Sequence, residues 1–288
     1  MQKTKLDRNA RALAGLGFLL VAAACARRET SPGSTAAGAA SGVLPSGSAP
    51  ESAERRPAAG GDDAAKAELA RARAERRTER EHLVRSLMRE GISDERVLAA
   101  LRAVPRHHFV PDAVRGAAYA NRPLPIGWDQ TISQPYIVAA MTQAALPQAS
   151  DRCLEIGTGS GYQAAVLAEL CDSTYSIEYL PELAEFGGAN LRSLGYDVQL
   201  RTGDGYRGWP EAAPFDVVLV TAAPEKVPEP LLEQLAVGGR LVIPVGPRDG
   251  VQSLELWKRV RPGKGPDAFE HRTLADVRFV PFLGDGGR

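Results

Sequence analysis

From Arg152 onward, short apolar runs typical of strands alternate with longer runs that have helical periodicity. The strand-like runs are Arg152 to Ile156, Ser173 to Ile177, Val198 to Thr202, Phe215 to Val220 and Arg240 to Val245, and the helix-like runs among them are Tyr162 to Leu170 and Pro181 to Leu194. This alternation predicts an α/β fold, a doubly wound and mainly parallel sheet with helices on both faces. Because ligands of such folds bind beyond the carboxyl ends of the strands, the active site is expected there.

The segments on either side of this alternation complete the predicted domain. Ser253 to Val260 and Thr273 to Phe282 are strand-like with no helix between them, which predicts an antiparallel strand at the C-terminal end of the sheet. Ahead of the sheet, Ile92 to Val104 is a predicted helix started by Ser93, and Tyr136 to Leu146 is another. A loop rich in proline and glycine joins these two helices.

The first 25 residues have the pattern of a signal peptide of the lipoprotein type, whose apolar core ends at a cysteine. The apolar stretch from Ala12 to Ala24 is too short to span a bilayer and ends at Cys25. The basic residues ahead of it are Lys3, Lys5, Arg8 and Arg11. The pattern predicts export with membrane tethering through a lipid on Cys25, in the periplasm or at the outer membrane. A mis-assigned start codon or a loose tail is the alternative.

Composition divides the rest of the N-terminal region. Residues 26–63 are rich in Ser, Gly, Ala and Pro, and are predicted to form a flexible low-complexity tether. Residues 64–82 form a predicted charged helix, an N-terminal helical extension of the catalytic domain expected at residues 83–283. Its arginines are interleaved with glutamates and the chain has a formal net charge of +0, so a solvated helix is favoured over an RNA-binding arm and no nucleic acid partner is expected.

Cysteine and histidine give little indication of a special site. The chain has three cysteines without C-x-x-C spacing, so neither a zinc site nor a disulfide framework is expected, and Cys153 and Cys171 are interpreted as small buried apolar residues. The four histidines are interpreted as surface or packing residues, and no metal site is predicted. These histidines are His82, His107, His108 and His271.

A glycine-rich turn follows the first predicted strand of the sheet. Its sequence is Glu155-Ile156-Gly157-Thr158-Gly159-Ser160-Gly161. Glycines allow a tight turn and a close approach of the backbone to a ligand, although dinucleotide-binding folds share the feature and some such turns only pack. The G-x-G-x-G spacing and the acid at Glu155 argue against a pyrophosphate and suit the positively charged amino-acid end of S-adenosylmethionine, which Glu155 would reach through water or an intervening backbone group.

Two further acids follow the next two strands. Glu178 ends the second strand, where its carboxylate could accept hydrogen bonds from both hydroxyls of a ribose. Asp204, followed by Gly205 after the third strand, could accept the exocyclic amine of adenine. Each alone is typical of a cap or turn. In this order, the glycine turn and the two acids are typical of class I methyltransferases, which specifies the fold as a Rossmann-like methyltransferase sheet that binds S-adenosylmethionine.

One segment is more specific than these motifs. Leu124 to Gly127 and Gln130 to Tyr136 resemble the signature segment of protein-L-isoaspartate O-methyltransferases. The resemblance extends to Val104-Pro105-Arg106, Phe109-Val110, Glu155 to Gln163, Gly203-Asp204-Gly205, Pro214-Phe215-Asp216, Thr221-Ala222-Ala223-Pro224, Gly238 to Leu241 and Pro244-Val245-Gly246. The departures are Trp128-Asp129, where smaller residues are expected, and the long N-terminal extension.

The resemblance implies transfer of a methyl group from S-adenosylmethionine to the free carboxylate of L-isoaspartyl and D-aspartyl residues in damaged proteins and peptides. It implies that Ser133 is the catalytic residue and that Gln130, Thr131 and Ile132 contact the cofactor, together with Gly157, Thr158, Gly159 and Gly161. From its position before Pro135, Ser133 is also a predicted helix N-cap. Members of the family are usually cytoplasmic, and a monomer is expected.

The predicted chemistry needs few catalytic groups. A free carboxylate is ionised at neutral pH, so no general base and no metal are required. Two alternatives remain open from the sequence: a class I methyltransferase acting on a small-molecule acid, and a non-catalytic exported protein with a methyltransferase-like fold. The second arises because S-adenosylmethionine is charged and should not cross a membrane unaided.

Overall fold

A computed structural model describes residues 59–285, and its centre is a seven-stranded sheet with the order β5-β4-β3-β6-β7-β8-β9. The strands of this sheet are β3 (Arg152–Ile156), β4 (Ser173–Glu178), β5 (Gln199–Thr202), β6 (Phe215–Val220), β7 (Leu235–Val245), β8 (Gln252–Arg259) and β9 (Phe269–Val277). A separate two-stranded sheet pairs β1 (Leu124–Gly127) with β2 (Gln130–Ile132).

The order of the strands confirms the predicted fold class. Strands β3 to β7 pair in parallel, and the two pairs at the C-terminal edge, β7 with β8 and β8 with β9, are antiparallel. The chain runs outward from β3 through β4 to β5, then returns to the other side of β3 to form β6. This reversal places a switch point between β3 and β6, where folds of this kind bind ligands.

Helices cover both faces of the sheet. They are α1 (Ala59–Ala74), α2 (Arg77–Arg89), α3 (Glu95–Ala103), α4 (Pro135–Ala145), α5 (Tyr162–Ala168), α6 (Pro181–Ser193) and α7 (Glu229–Glu233). Val217 and Leu219 belong to an apolar cluster on one face of β6, and Val218 and Val220 to a cluster on the other. A strand covered on both faces must be apolar throughout, which explains the unbroken apolar run that identified it.

The N-terminal extension differs from the single helix expected. It forms two helices, α1 and α2, separated at Glu75 and Arg76, where Arg76 adopts a left-handed conformation with φ 47°. Helix α1 begins at Ala59, inside the segment predicted as tether. Residues 1–58, which contain the predicted signal peptide and most of that tether, lie outside the described residues. Within residues 59–285, no helix is both long and apolar enough to cross a bilayer.

Two predicted helix caps are corrected by the structure. Asp94, and not Ser93, caps α3, because its side chain accepts a hydrogen bond from the backbone N–H of Arg96 (2.9 Å). Helix α4 begins at Pro135, so Gln134 occupies the N-cap position that was assigned to Ser133. Proline is favoured at the first position of a helix, where its missing N–H would have no partner in any case.

The cysteine interpretation was wrong: Cys153 and Cys171 form a disulfide. Cys153 begins the buried part of β3 and Cys171 follows α5, so the bond closes the whole strand-turn-helix unit that contains the glycine-rich turn. The two cysteines are 18 positions apart, and no local pattern in the sequence indicates the pairing. The two cysteines meet because α5 runs back along β3, so that the end of the helix lies beside the start of the strand.

Candidate active site

A cleft lies at the carboxyl ends of β3, β4 and β6, at the predicted switch point. The hairpin of β1 and β2 forms one wall, and a C-terminal segment that follows β9 forms another. Its lining residues are Gln130, Thr131, Ile156, Gly157, Gly159, Ile177, Glu178, Tyr179, Leu180, Leu183, Gly205, Thr221, Ala222, Val280, Pro281, Phe282 and Leu283. The cleft therefore combines six of the residues predicted from sequence with apolar walls that were not predicted.

The glycine-rich turn forms the floor of the cleft. Gly157 and Gly159 both have positive φ, 96° and 53°, a conformation that side chains disfavour. A Cβ on Gly157 would lie 2.5 Å from Oγ1 of Thr221, whose single hydroxyl hydrogen is shared between the carbonyls of Ile156 (3.0 Å) and Gly157 (2.8 Å). Thr221 thus holds the turn in place through these carbonyls, and its hydroxyl leaves no room for a side chain at position 157.

Glu178 lies beside this turn at the end of β4. Its Oε2 accepts a hydrogen bond from the N–H of Gly159 (2.9 Å) and its Oε1 accepts one from the N–H of Leu180 (3.1 Å). Burial raises the pKa of Glu178, and these backbone donors partly oppose the shift. Each carboxylate oxygen keeps a further lone pair, so the group can still accept hydrogen bonds from two hydroxyls of a ligand in the cleft.

Glu155 lies under the cleft rather than in it. Its side chain is fully buried and accepts a hydrogen bond from Oγ of Ser176 (2.6 Å), which in turn lies 2.6 Å from Oγ1 of Thr158. Burial raises the pKa of Glu155 to about 8. The pleat of β3 directs this side chain into the interior, so any effect of its carboxylate on the cofactor would pass through intervening groups, and its part in cofactor binding stays a prediction.

We expect Glu155→Gln to change how stability depends on pH. The pKa of Glu155 is 4.5 in the unfolded chain and about 8 in the folded protein, so the folded state binds more protons between these values. The parent's free energy of unfolding therefore falls as the pH rises from 4.5 to 8. Glutamine cannot ionise, so the free energy of unfolding of the variant should rise relative to that of the parent by at least about 1 kcal/mol between pH 5 and pH 8. Urea unfolding at both pH values measures this. Equal pH dependence in the two proteins would contradict it.

Three other predicted residues also lie outside the cleft. Thr158 is buried against Ser176, and Gly161 is the N-cap of α5 with φ 88°, where a Cβ would lie 2.9 Å from the carbonyl oxygen of Gly187 on α6. Ile132 is buried in the core. These residues shape the turn and its packing, and the structure gives them no contact with the cleft.

Asp204 is a cap in this structure. Its Oδ1 accepts a hydrogen bond from the N–H of Tyr206 (3.0 Å) and its Oδ2 accepts one from the N–H of Asp285 (3.2 Å). The carboxylate is thus engaged by its own turn and by the C-terminal segment, and the contact with adenine expected of it stays a prediction. Its neighbour Gly205 does line the cleft, and a Cβ there would lie 2.4 Å from Cγ2 of Ile156.

Ser133 follows β2 directly after the cleft-lining Gln130 and Thr131. Its carbonyl accepts a hydrogen bond from Nη2 of Arg106 (2.8 Å), and its hydroxyl has no partner among the described residues. Arg106 is fully buried, and its Nε donates to the carbonyl of Ala118 (2.9 Å). Although burial lowers its pKa to about 10, Arg106 remains protonated at neutral pH and holds the Ser133 backbone in place.

The hairpin and the C-terminal segment were missed by sequence reasoning. The two central residues of the hairpin turn, Trp128 and Asp129, have φ values of 50° and 55°, a conformation usually signalled by Asn-Gly and not by this pair. The segment Val280–Leu283 is joined to Ala223 by two backbone hydrogen bonds, and Phe282 stacks on Tyr206 at 4.2 Å. Its apolar sequence was interpreted as the end of a strand.

S-adenosylmethionine fits the residues present. A backbone turn without side chains can approach its amino-acid end, the Glu178 carboxylate can accept the ribose hydroxyls, and apolar side chains such as Phe282 and Leu183 offer surfaces for adenine. Within residues 59–285, the only cluster with the donor atoms of a metal site is Glu75, His107 and His108, which lies outside this cleft.

Comparison with known proteins identifies the family. The model of protein-L-isoaspartate(D-aspartate) O-methyltransferase matches residues 78–286. The chain belongs to this family. A protein-L-isoaspartate O-methyltransferase of Opitutus terrae is 60% identical over 209 residues, covering 72% of this chain and 88% of the relative. One from Syntrophobacter fumaroxidans is 53% identical over 202 residues, covering 70% and 92%.

One solved structure agrees with the family assignment, and a second shares the fold. A protein-L-isoaspartate O-methyltransferase structure superposes with a TM-score of 0.66 at 30% identity, covering 72% of this chain and 67% of that chain. A Plasmodium falciparum protein described as a member of the same family, in complex with S-adenosyl-L-homocysteine, has a TM-score of 0.61 at 23% identity, covering 70% and 97%. The region matched by the family model, residues 78–286, contains every strand and every cleft-lining residue named above.

Proposed function

We propose that the chain transfers a methyl group from S-adenosylmethionine to the free carboxylate of L-isoaspartyl and D-aspartyl residues in damaged proteins and peptides. The observation that carries the proposal is that the family match includes the whole cleft, with Glu178 and the glycine turn on one side and Gln130 and Thr131, which lead directly into Ser133, on the other. A cofactor site and a substrate segment therefore meet at the same sheet edge.

The protein's part in this reaction is binding and alignment. When bound, S-adenosylmethionine supplies a methyl group on a positively charged sulfur, which leaves with the electrons of the broken carbon–sulfur bond as a neutral thioether. The accepting carboxylate is already ionised at neutral pH, so no residue has to remove a proton. The unpaired hydroxyl of Ser133 can donate a hydrogen bond to one carboxylate oxygen and leave the other facing the methyl group.

The product favours repair without further catalysis. In the methyl ester, the backbone nitrogen of the following residue can attack the ester carbonyl and expel methanol, which gives a succinimide. Water then opens that ring at either carbonyl, and one of the two products is the normal aspartyl peptide. The enzyme is needed only for the methylation step.

A pair of peptides tests the proposal and its nearest alternative. The purified chain is incubated with methyl-labelled S-adenosylmethionine and with two peptides of identical sequence, one containing aspartate and the other isoaspartate. Base-labile label on the isoaspartyl peptide alone is expected. Label on neither peptide, in a protein that binds the donor, would favour a small-molecule acid as substrate. A folded protein that does not bind the donor would support the non-catalytic alternative.

We expect Ser133→Ala to lower the methylation rate about tenfold or more and to leave donor affinity nearly unchanged. The hydroxyl is assigned to the substrate carboxylate, and a hydrogen bond to a charged group contributes about 1.5–3 kcal/mol. Steady-state rates with the isoaspartyl peptide and the KM for the donor separate the two effects. Ser193→Ala, on the exposed side of α6, is the matched control. A wild-type rate for Ser133→Ala would remove the assigned role.

The proposal includes export and a lipid on Cys25. The Cys153–Cys171 disulfide supports it, since disulfides persist mainly in oxidising compartments. Cells labelled with palmitate should label the parent chain and not a Cys25→Ser variant. Absence of label in both would contradict lipidation of Cys25.

The proposed working state is a monomer, because one chain forms the complete cleft, and sedimentation equilibrium tests this.

A further inference from the structure

Glu75, His107 and His108 form a cluster of possible metal ligands outside the active-site cleft. One ligand atom from each residue lies within 4.8 Å of the others. Oε2 of Glu75 is 3.1 Å from Nε2 of His107 and 3.5 Å from Nε2 of His108. Four ligands at the usual zinc bond lengths of about 2.0–2.2 Å stand about 3.3–3.6 Å apart in a tetrahedron, so these separations are close to those of a metal site.

The surroundings of the two imidazoles suit coordination through Nε2. Nδ1 of His107 lies 2.7 Å from the hydroxyl of Tyr119, which can accept a hydrogen bond from the Nδ1–H and so leave Nε2 without a proton and free to bind a metal. Nε2 of His108 is buried and makes no hydrogen bond among the described residues. The nearby arginines have partners of their own: Arg80 donates to the Tyr119 hydroxyl (3.1 Å), and Arg76 to Glu79 (3.0 Å).

We propose that these three residues bind a divalent transition metal, with Zn²⁺ as the representative ion. Two imidazoles and one carboxylate favour zinc over magnesium or calcium, which prefer oxygen ligands alone. The side chain of Glu75 is 47% exposed, so a water molecule from solvent can complete the coordination. This site is separate from methyl transfer and does not depend on it.

The position of the cluster indicates what the metal does. Glu75 lies at the break between α1 and α2, three residues before the region matched by the family model, whereas His107 and His108 belong to a short turn of the catalytic domain at Arg106–His108. A metal bound by all three joins the N-terminal extension to the domain. It also fixes the break beside Arg76, whose backbone is left-handed.

The test is a zinc titration of the full chain after treatment with EDTA, in competition with a chromophoric chelator. One equivalent of Zn²⁺ should bind per chain. Glu75→Gln and His108→Ala, at positions that are not fully buried, should each weaken binding at least tenfold. Glu79→Gln and His82→Ala remove a similar group from exposed positions nearby and should bind as the parent does. Circular dichroism confirms that each variant is folded.

A second readout is protection of the α1–α2 break from limited proteolysis. Zn²⁺ should slow cleavage near Glu75 in the parent and in the two control variants, and have no such effect in Glu75→Gln or His108→Ala. The proposal is overturned if the parent binds no zinc, or if Glu75→Gln and His108→Ala bind it with the affinity of the parent.

Discussion

Glu178→Ala is expected to weaken binding of S-adenosyl-L-homocysteine, the reaction's product, at least about 100-fold. The variant removes a carboxylate that can accept two ribose hydroxyls, and hydrogen bonds to charged groups contribute about 1.5–3 kcal/mol each. It also frees the N–H of Gly159, which Glu178 holds at 2.9 Å, so the glycine turn loses a support. Both effects act on the same ligand, one by direct contact and one through the backbone.

Ligand-induced thermal stabilisation measures this loss. At a ligand concentration about 100 times the parent's Kd, binding stabilises the parent by about 2.7 kcal/mol, and a variant with 100-fold weaker affinity by only about 0.4 kcal/mol. The corresponding shift in Tm should be about 5–10 °C for the parent and about 1–2 °C for Glu178→Ala. Glu182→Ala, an exposed carboxylate in the first turn of α6, should behave as the parent does. Equal shifts in Glu178→Ala and parent would exclude a ribose contact.

Loss of the disulfide should lower stability by about as much as the bound ligand raises it in the parent. Cys171→Ser opens the covalent loop that the disulfide closes between two positions 18 apart in the sequence. This change is expected to lower the free energy of unfolding by about 3 kcal/mol under oxidising conditions. The loop contains the glycine turn, so local opening near the cleft should also increase. Urea unfolding of parent and variant measures the first effect, and hydrogen exchange at the turn measures the second.

Reductant provides the control for this prediction. Dithiothreitol should lower the stability of the parent to about that of Cys171→Ser and leave the variant unchanged. If the parent and variant unfold alike without reductant, and alkylation finds Cys153 and Cys171 as free thiols in the parent, the disulfide is absent in solution. That result would also remove the support that the bond gives to export.

The sequence predicts most of the sheet because its central strands are apolar on both faces. Phe215–Val220 is found with the bounds expected, whereas β9 is displaced. The apolar run from Thr273 to Phe282 was interpreted as one strand, but β9 ends at Val277 and Val280–Phe282 turn over the cleft. Periodicity identifies an apolar segment and does not distinguish between a strand in a sheet and a wall of a ligand site.

The sequence predicts which backbone positions lie at the cleft better than it predicts the directions of the side chains. Gly157, Gly159 and Glu178 lie where the motif placed them, because a turn at a strand end is a local property. Glu155 and Asp204 have the expected residue type, yet one is directed into the core and the other caps its own turn. Those directions depend on the pleat of the sheet and on packing of distant segments, which single-residue spacing does not specify.

The central claim is that this cleft binds the methyl donor, and calorimetric titration of the full chain with S-adenosyl-L-homocysteine tests it most directly. Titration at two temperatures ensures that heat is measurable, because the enthalpy of binding changes with temperature when apolar surface is buried. One binding site per chain is the predicted result. A folded protein that gives no heat of binding at either temperature would contradict the account.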